Sequence, residues 1–182
     1  MRCIALLRGI NVSGQKTVKM TDLKKAFESL LFENVRTYGQ SGNVIFDCTG
    51  AETVKLATRV EAKVSETFGF STNVIIRTQQ ELDKIIENNP LVDKADVALD
   101  KLYVTFVLDI PDETDVSKLD ITPGDNEKFA IVRSEVYLYC PNGYARTRLN
   151  NAMFETKLST VATTRNWRTI NKLLAVSKLK EL

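Results

Sequence analysis

The chain has 182 residues, 43% hydrophobic and 26% charged, with a formal net charge of +2. This composition can fill the core of one compact domain or two small fused ones, and it excludes a disordered chain. The absence of histidine excludes hydrolases of the Ser-His-Asp type and histidine-bound metals.

A cysteine-only zinc site would need more clustered cysteines than Cys3, Cys48 and Cys140, and no motif stands behind an oxygen-ligand magnesium site. The wide spacing of the three, with no Cys-x-x-Cys pair, predicts reduced and buried thiols in a cytosolic protein. No apolar run nears the roughly 18 residues of a membrane-spanning helix. Residues 4–7, interrupted by Arg8, are too short for a signal-peptide core. The charge is unevenly spread: residues 1–80 carry +4, 81–127 carry −9 and 128–182 carry +7. Basic ends of this kind attract anionic ligands, although a solvated surface explains them equally well.

Residues 2–8 read as a first strand, apolar enough to be buried on both faces. The strand runs into Arg8-Gly9-Ile10-Asn11-Val12-Ser13-Gly14-Gln15, a polar loop punctuated by two glycines. A helix over 22–31 follows, capped by Thr21, with Leu23, Phe27 and Leu30 as its apolar stripe. Strands over 35–38 and 44–46 flank the turn Gln40-Ser41-Gly42-Asn43. Thr49-Gly50-Ala51-Glu52 has the spacing of a capping box, opening a helix that Gly69 stops near Phe68. A strand over 72–77 leads into a second capping box, Thr78-Gln79-Gln80-Glu81, and a helix that Pro90 ends. The order β-α-β-β-α-β is that of a ferredoxin-like unit.

The second half repeats this grammar. A strand over 103–108 is followed by an acidic stretch over 111–120 with room for a short helix. Strands over 129–133 and 136–140 come next, joined by Ser134-Glu135, and then a helix near 151–158. Thr163-Thr164-Arg165-Asn166-Trp167-Arg168-Thr169 is expected to open the last helix, either threonine capping it, with Trp167, Ile170, Leu173 and Leu174 buried. The expected architecture is therefore α+β: two fused ferredoxin-like βαββα(β) units with mixed or antiparallel sheets and helices packed on them. The units divide as 1–90 and 91–182 and are expected to form one rigid body.

Three groups of residues resemble the bacterial family known as domain of unknown function 1697. They are Ala5-Leu6-Leu7-Arg8-Gly9-Ile10-Asn11-Val12, then Arg36-Thr37-Tyr38 with Gln40-Ser41-Gly42-Asn43-Val44, and Ala162-Thr163-Thr164-Arg165-Asn166-Trp167 with Thr169. The chain departs from the family's pattern at Ser13, where glycine is usual, and at Gly39, where an apolar residue is usual. It departs again at Leu31, where glycine is usual and would cap the preceding helix. The resemblance implies an α+β fold of two related halves, and the family assigns no activity.

Glycine-rich strand–loop–helix corners often hold phosphate, yet this one matches neither Gly-x-Gly-x-x-Gly nor the Walker loop. Arg8 and Asn11 are candidates to cradle a phosphate, joined by Ser41 and Asn43 if the first strand lies beside the third. Arg165 and Arg168 are candidates at the start of the last helix, where unpaired amides favour anions. For each of the six the alternative is purely structural: turns, caps and braces. Arg146 and Arg148 fit either reading. Trp167 reads as core.

The leading expectation is a cytosolic protein that binds an anionic, phosphate-bearing small ligand, with cofactors undefined. The alternative is a protein-interaction or scaffold module without a ligand. A third reading is an enzyme on a phosphorylated small molecule, with Asp22, Asp47, Lys16 and Lys19 as acid–base candidates, or a single-stranded nucleic-acid binder. Nucleic acid is weakly supported: the basic ends allow ionic contacts, and Tyr137 and Tyr139 share a strand face, but the aromatic run of RNA-reading sheets is missing.

Overall fold

A computed structural model describes residues 1–12, 14–50, 52–111 and 119–179 of the chain. It divides into two compact units, Met1–Lys84 with Lys172–Leu182, and Ile85–Asn171. Each is built on a four-stranded antiparallel sheet, so the α+β reading with two ferredoxin-like units is what the structure has.

In the first unit the order is β1 (Arg2–Leu7), α1 (Met20–Glu28), β2 (Glu33–Tyr38), β3 (Asn43–Asp47), α2 (Thr53–Phe68) and β4 (Val74–Thr78). The strands lie in the order β2-β3-β1-β4. β1 is central, and Cys3 through Leu7 are all buried, as an apolar strand covered on both faces must be. Cys3, Ala5 and Leu7 face the helices with Val44, Phe46, Val74 and Ile76, meeting Leu23 and Phe27 of α1 and Leu56, Val60 and Val64 of α2. The rings of Phe32 and Phe46 stand 4.5 Å apart at the middle of this core.

Two expected caps are not made. α1 begins at Met20 with Lys19 before it, and α2 begins at Thr53 with Glu52 before it; neither has a side-chain cap bond. The missing box at Thr49–Glu52 includes Ala51, which lies outside the described residues. Gly69 does close α2, in the left-handed conformation. The second box forms in full: Thr78 Oγ1 accepts from the Glu81 amide at 3.1 Å, and Glu81 Oε2 accepts from the Thr78 amide at 2.7 Å. It opens α3 (Gln79–Glu87).

Leu31 stands where a helix-capping glycine is the expectation. It holds φ +62 just past α1 and is 89% exposed, a left-handed residue with an apolar side chain in water. A leucine there carries roughly 1 kcal/mol of backbone strain that glycine does not. Leu31→Gly is therefore expected to raise the unfolding midpoint by about 2–4 °C, read by differential scanning calorimetry.

The second unit contains β5 (Leu102–Val107), β6 (Lys128–Val132), β7 (Glu135–Tyr139), α4 (Asn151–Leu158), β8 (Ala162–Asn166) and the start of α5 (Trp167–Ser177), whose residues from Lys172 on belong to the first unit. Its sheet runs β6-β7-β5-β8, the same order as in the first unit. The short helix expected within 111–120 falls mostly on 112–118, which lie outside the described residues. The β6–β7 turn sits at Arg133-Ser134, one residue earlier than expected, with Arg133 at φ +57 and Glu135 already inside β7. α4 occupies the expected residues and is capped by Asn150, whose side chain accepts from the Met153 amide at 3.0 Å.

The main correction concerns residues 162–166. They are not the opening of the last helix but a strand, β8, paired antiparallel with β5 from Tyr103↔Asn166 to Val107↔Ala162. The two threonines are β-branched and suit a strand better than a helix start. The cap of α5 is Asn166, whose Oδ1 accepts from the Thr169 amide at 2.7 Å. Trp167 is buried, as expected of a core residue. Tyr137 and Tyr139 are buried too, and Tyr137 donates to the Ile85 carbonyl at 2.9 Å. Neither of the two therefore offers an open stacking face.

The two units also agree in local detail. Leu7 donates its amide to the Gly42 carbonyl and Arg8 to the Asn73 carbonyl, both at 2.9 Å; Val107 and Leu108 do the same toward Ser134 and Val161 at 2.9 and 3.0 Å. Arg77 on β4 stands opposite Ile4 of β1, and Arg165 on β8 stands opposite Val104 of β5. Each arginine is buried, and each is followed directly by the residue that caps the next helix.

Candidate functional site

Four of the six candidate residues, Arg8, Asn11, Ser41 and Asn43, come together in the first unit. The cause is topological: β1 pairs with β3, with Leu6 opposite Asn43, so the loop after β1 runs beside the turn before β3. Arg165 and Arg168 belong to the second unit.

The loop is held by its backbone and by one side chain. Arg8 is half-buried; its carbonyl accepts from Thr72 Oγ1 at 2.6 Å while its amide reaches Asn73. Ile10 is buried and anchors the loop from below. Asn11 takes φ +54, in the left-handed region that asparagine tolerates. Its Nδ2 donates to the Val18 carbonyl at 2.9 Å and the Gln40 carbonyl at 2.8 Å, and its Oδ1 accepts from the Val18 amide at 2.8 Å. Both side-chain N–H groups are thereby spent. Asn11 closes its own loop and ties it to the neighbouring turn.

Asn43 works from inside. It is buried, and its Nδ2 donates to the Tyr38 carbonyl and to Ser41 Oγ, each at 3.0 Å. Gly42 lets the two segments meet: at φ +73, a Cβ there would lie 2.7 Å from Ile10 Cδ1 and 2.8 Å from Leu7 Cβ.

The outer rim is polar. Gly9, Gly14, Gln15, Lys16, Gly39, Gln40 and Ser41 all reach solvent. Lys16 lays its ammonium on the Ser71 carbonyl at 2.7 Å and over the Phe70 ring, 5.7 Å from the centroid. Residues 1–21 include Arg2, Arg8, Lys16 and Lys19 and no Asp or Glu at all. Beside the rim, Thr58, Glu61, Ala62, Ser65, Ser71, Thr72 and Asn73 line an open groove of about 370 Å³. The sequence reading missed Thr72 and Ser71, because nothing in spacing foretells that residues before β4 will meet the loop after β1.

In the second unit, Arg165 does not stand at a helix start. It is buried within β8, where Nη1 donates to Thr163 Oγ1 at 2.8 Å and to the Thr164 carbonyl at 2.9 Å. Burial lowers its pKa from the ordinary guanidinium value to about 10, so it keeps its charge at neutral pH. Arg168 is exposed, one residue into α5. The two arginines therefore serve different environments and make no paired anion clamp. Thr164 is instead the hub of an internal network: its hydroxyl lies 2.7 Å from Thr105 Oγ1, donates to Asn151 Oδ1 at 2.6 Å and accepts from the Tyr144 hydroxyl at 3.0 Å. Paired threonines on neighbouring strands are the signal that could have revealed it.

Of the acid–base candidates, Asp47 is taken up by Arg2, at 2.6 and 2.9 Å, and by Asn34 Nδ2 at 2.8 Å. Asp22 lies in the first turn of α1. Among the described residues no three of His, Cys, Asp and Glu are grouped to hold a metal ion, and no helix is long and apolar enough to cross a membrane.

Fold and corner together define a tandem ferredoxin-like protein, whose first unit carries a braced, glycine-rich loop. The family model described as Protein of unknown function (DUF1697) matches residues 1–137, and the chain belongs to that family. The structure is similar to that of the conserved bacterial protein SP0830 from Streptococcus pneumoniae, with TM-score 0.76 and 21% identity over 97% of this chain and 98% of that one. At that identity the likeness shows the shared fold alone. No curated protein matches the chain.

Proposed function

We propose that this protein binds an anionic, phosphate-bearing small ligand at the rim formed by the Arg8–Lys16 loop and the Gly39–Ser41 turn. The observation that carries this reading is the fixing of two glycine-containing polar segments side by side by Asn11, in a stretch with cations and no carboxylate. Phosphate is well served by such a surface: amides and hydroxyls solvate its oxygens, and a guanidinium supplies paired donors. Arg8, Lys16 and Ser41 are the contacts in this reading, and Asn11 and Asn43 position them. Arg165 is left out because it is buried in β8, and Arg168, exposed at the start of α5, is not part of this rim.

The test is a thermal-unfolding screen with pyrophosphate, mononucleotides, sugar phosphates and short oligonucleotides. A ligand at about a hundred times its dissociation constant stabilises by about 2.7 kcal/mol, which for this length is a shift of about 5–10 °C. The expected result is a shift with one ligand class that Arg8→Ala and Lys16→Ala reduce together, without lowering the unliganded midpoint by more than a few degrees. Equal shifts with every polyanion would mean a basic surface and nothing more. No shift, with a stoichiometric protein partner recovered instead, would establish the scaffold reading, which the internal use of Asn11 and Asn43 favours.

A further inference from the structure

Cys3 and Cys48 lie in one hydrophobic core with their sulfurs 3.5 Å apart, although 45 positions separate them in the chain. We infer that they are a dithiol that closes to a disulfide in the folded protein when a two-electron oxidant is supplied. The placement follows from the β1–β3 register. Cys3 faces Phe46, Arg2 faces Asp47, and Met1 is tied to Cys48, its ammonium donating to the Cys48 carbonyl at 2.7 Å and its carbonyl accepting from the Cys48 amide at 3.0 Å. The two cysteines are thus diagonal neighbours on the helix-facing side of the sheet.

A disulfide needs its sulfurs at about 2.05 Å, so the pair must close by roughly 1.5 Å. That movement falls near the ends of both strands: Cys3 is held between Phe46 and Thr78, whereas Cys48 lies past the last β3 residue and is tied to Met1. Met1 is half-exposed, and closure gives up the weak Cys48 Sγ contact to the Met1 carbonyl at 3.6 Å.

The chemistry balances simply. Cys48 is 8% exposed and Cys3 is fully buried, so Cys48 meets the oxidant first and Cys3 resolves the adduct. With a small disulfide as oxidant, the Cys48 thiolate attacks one of its sulfurs and expels a thiolate. The Cys3 sulfur then attacks Cys48 Sγ and expels the second; the two protein thiols have lost two protons and two electrons, and the oxidant has become two thiols. Burial and the neighbouring Cys48 hold the Cys3 thiol up at about 12, which makes the second step the slow one. Cys140 is also fully buried and lies in the other unit, so it serves as an internal control.

The experiment treats the native full-length protein with excess oxidised glutathione, and separately with diamide, whose N=N bond takes up the two hydrogens. The intact mass and the non-reduced peptides are then read. The expected result is a loss of about 2 Da, one peptide pair joining Cys3 to Cys48, and reversal by dithiothreitol. Closing so long a loop should also raise the unfolding midpoint by about 5 °C or more. Cys140→Ser should behave as the parent, and Cys48→Ser should lose the product. An unchanged mass after prolonged oxidation, or a glutathione adduct that stays on Cys48 without linking to Cys3, overturns the inference.

Discussion

Gly42→Ala should lower the unfolding midpoint by about 10 °C. Two costs combine. At φ +73 any L-residue pays about 1–2 kcal/mol for the left-handed backbone. The new Cβ would also meet Ile10 Cδ1 at 2.7 Å, Ile10 Cγ1 at 2.8 Å and Leu7 Cβ at 2.8 Å. Ile10 is buried and has little room to turn aside, and Leu7 Cβ is fixed to a central strand. Overpacking of this kind costs a further 1–3 kcal/mol. Gly9→Ala separates the terms: Gly9 has φ +67, and nothing lies within 4 Å of the place its new methyl group would take, so only the backbone cost of about 1 kcal/mol remains. A Gly42→Ala midpoint no lower than that of Gly9→Ala would mean that loop and turn are not locked together. The same variant should weaken any ligand of the rim, because the loop and the turn would no longer meet at the same distance.

The contrast between these two glycines shows what the sequence could and could not disclose. That Ser41-Gly42 makes a turn was readable from its place between two β-rich runs. That the first strand would lie beside the third followed from the β-α-β-β-α-β order, and with it the meeting of Arg8's loop and Asn43's turn. Which way each side chain points was not readable. Asn11 looks like a ligand group in a polar loop, yet three backbone partners consume its amide. Asn43 looks like a turn residue and is buried. Both outcomes depend on carbonyls and amides that come from distant parts of the chain, where no spacing rule reaches.

Residues 162–166 misled for a related reason. A threonine pair before an apolar stripe has the form of a helix start, and Arg165 and Arg168 seemed one turn apart on its surface. The pairing with β5 overrode that local signal, since a βαββα unit without its fourth strand would leave one edge of β5 bare. The first unit held the clue. Val74-Ile75-Ile76-Arg77-Thr78 and Ala162-Thr163-Thr164-Arg165-Asn166 are both strand, arginine and cap in the same places. Only the apolar residues of the former made its strand visible.

That correction leads to a second large effect. Arg165→Ala should destabilise the protein by about 3–5 kcal/mol, because it removes a buried group on which Thr163 Oγ1 and the Thr164 carbonyl rely and leaves a void in a packed sheet. Arg165→Met, which refills most of the volume without a charge, should cost clearly less, since the charge itself is held inside at a desolvation penalty. The pH dependence fixes the sign. Burial lowers the folded-state pKa from the ordinary guanidinium value to about 10, so below that value the guanidinium is protonated whether the chain is folded or not. The midpoint difference between parent and Arg165→Met is then flat from about pH 6 to about pH 9. Above about pH 10 the folded parent sheds its proton before the unfolded chain does, and its stability rises relative to the variant as pH increases. Equal and small losses for the two variants, comparable to that of exposed Arg168→Ala, would place Arg165 at the surface and make it a ligand contact again. A large loss for alanine with partial rescue by methionine makes it a packing and hydrogen-bonding element of β8, and Arg77, its counterpart on β4, should then follow the same order.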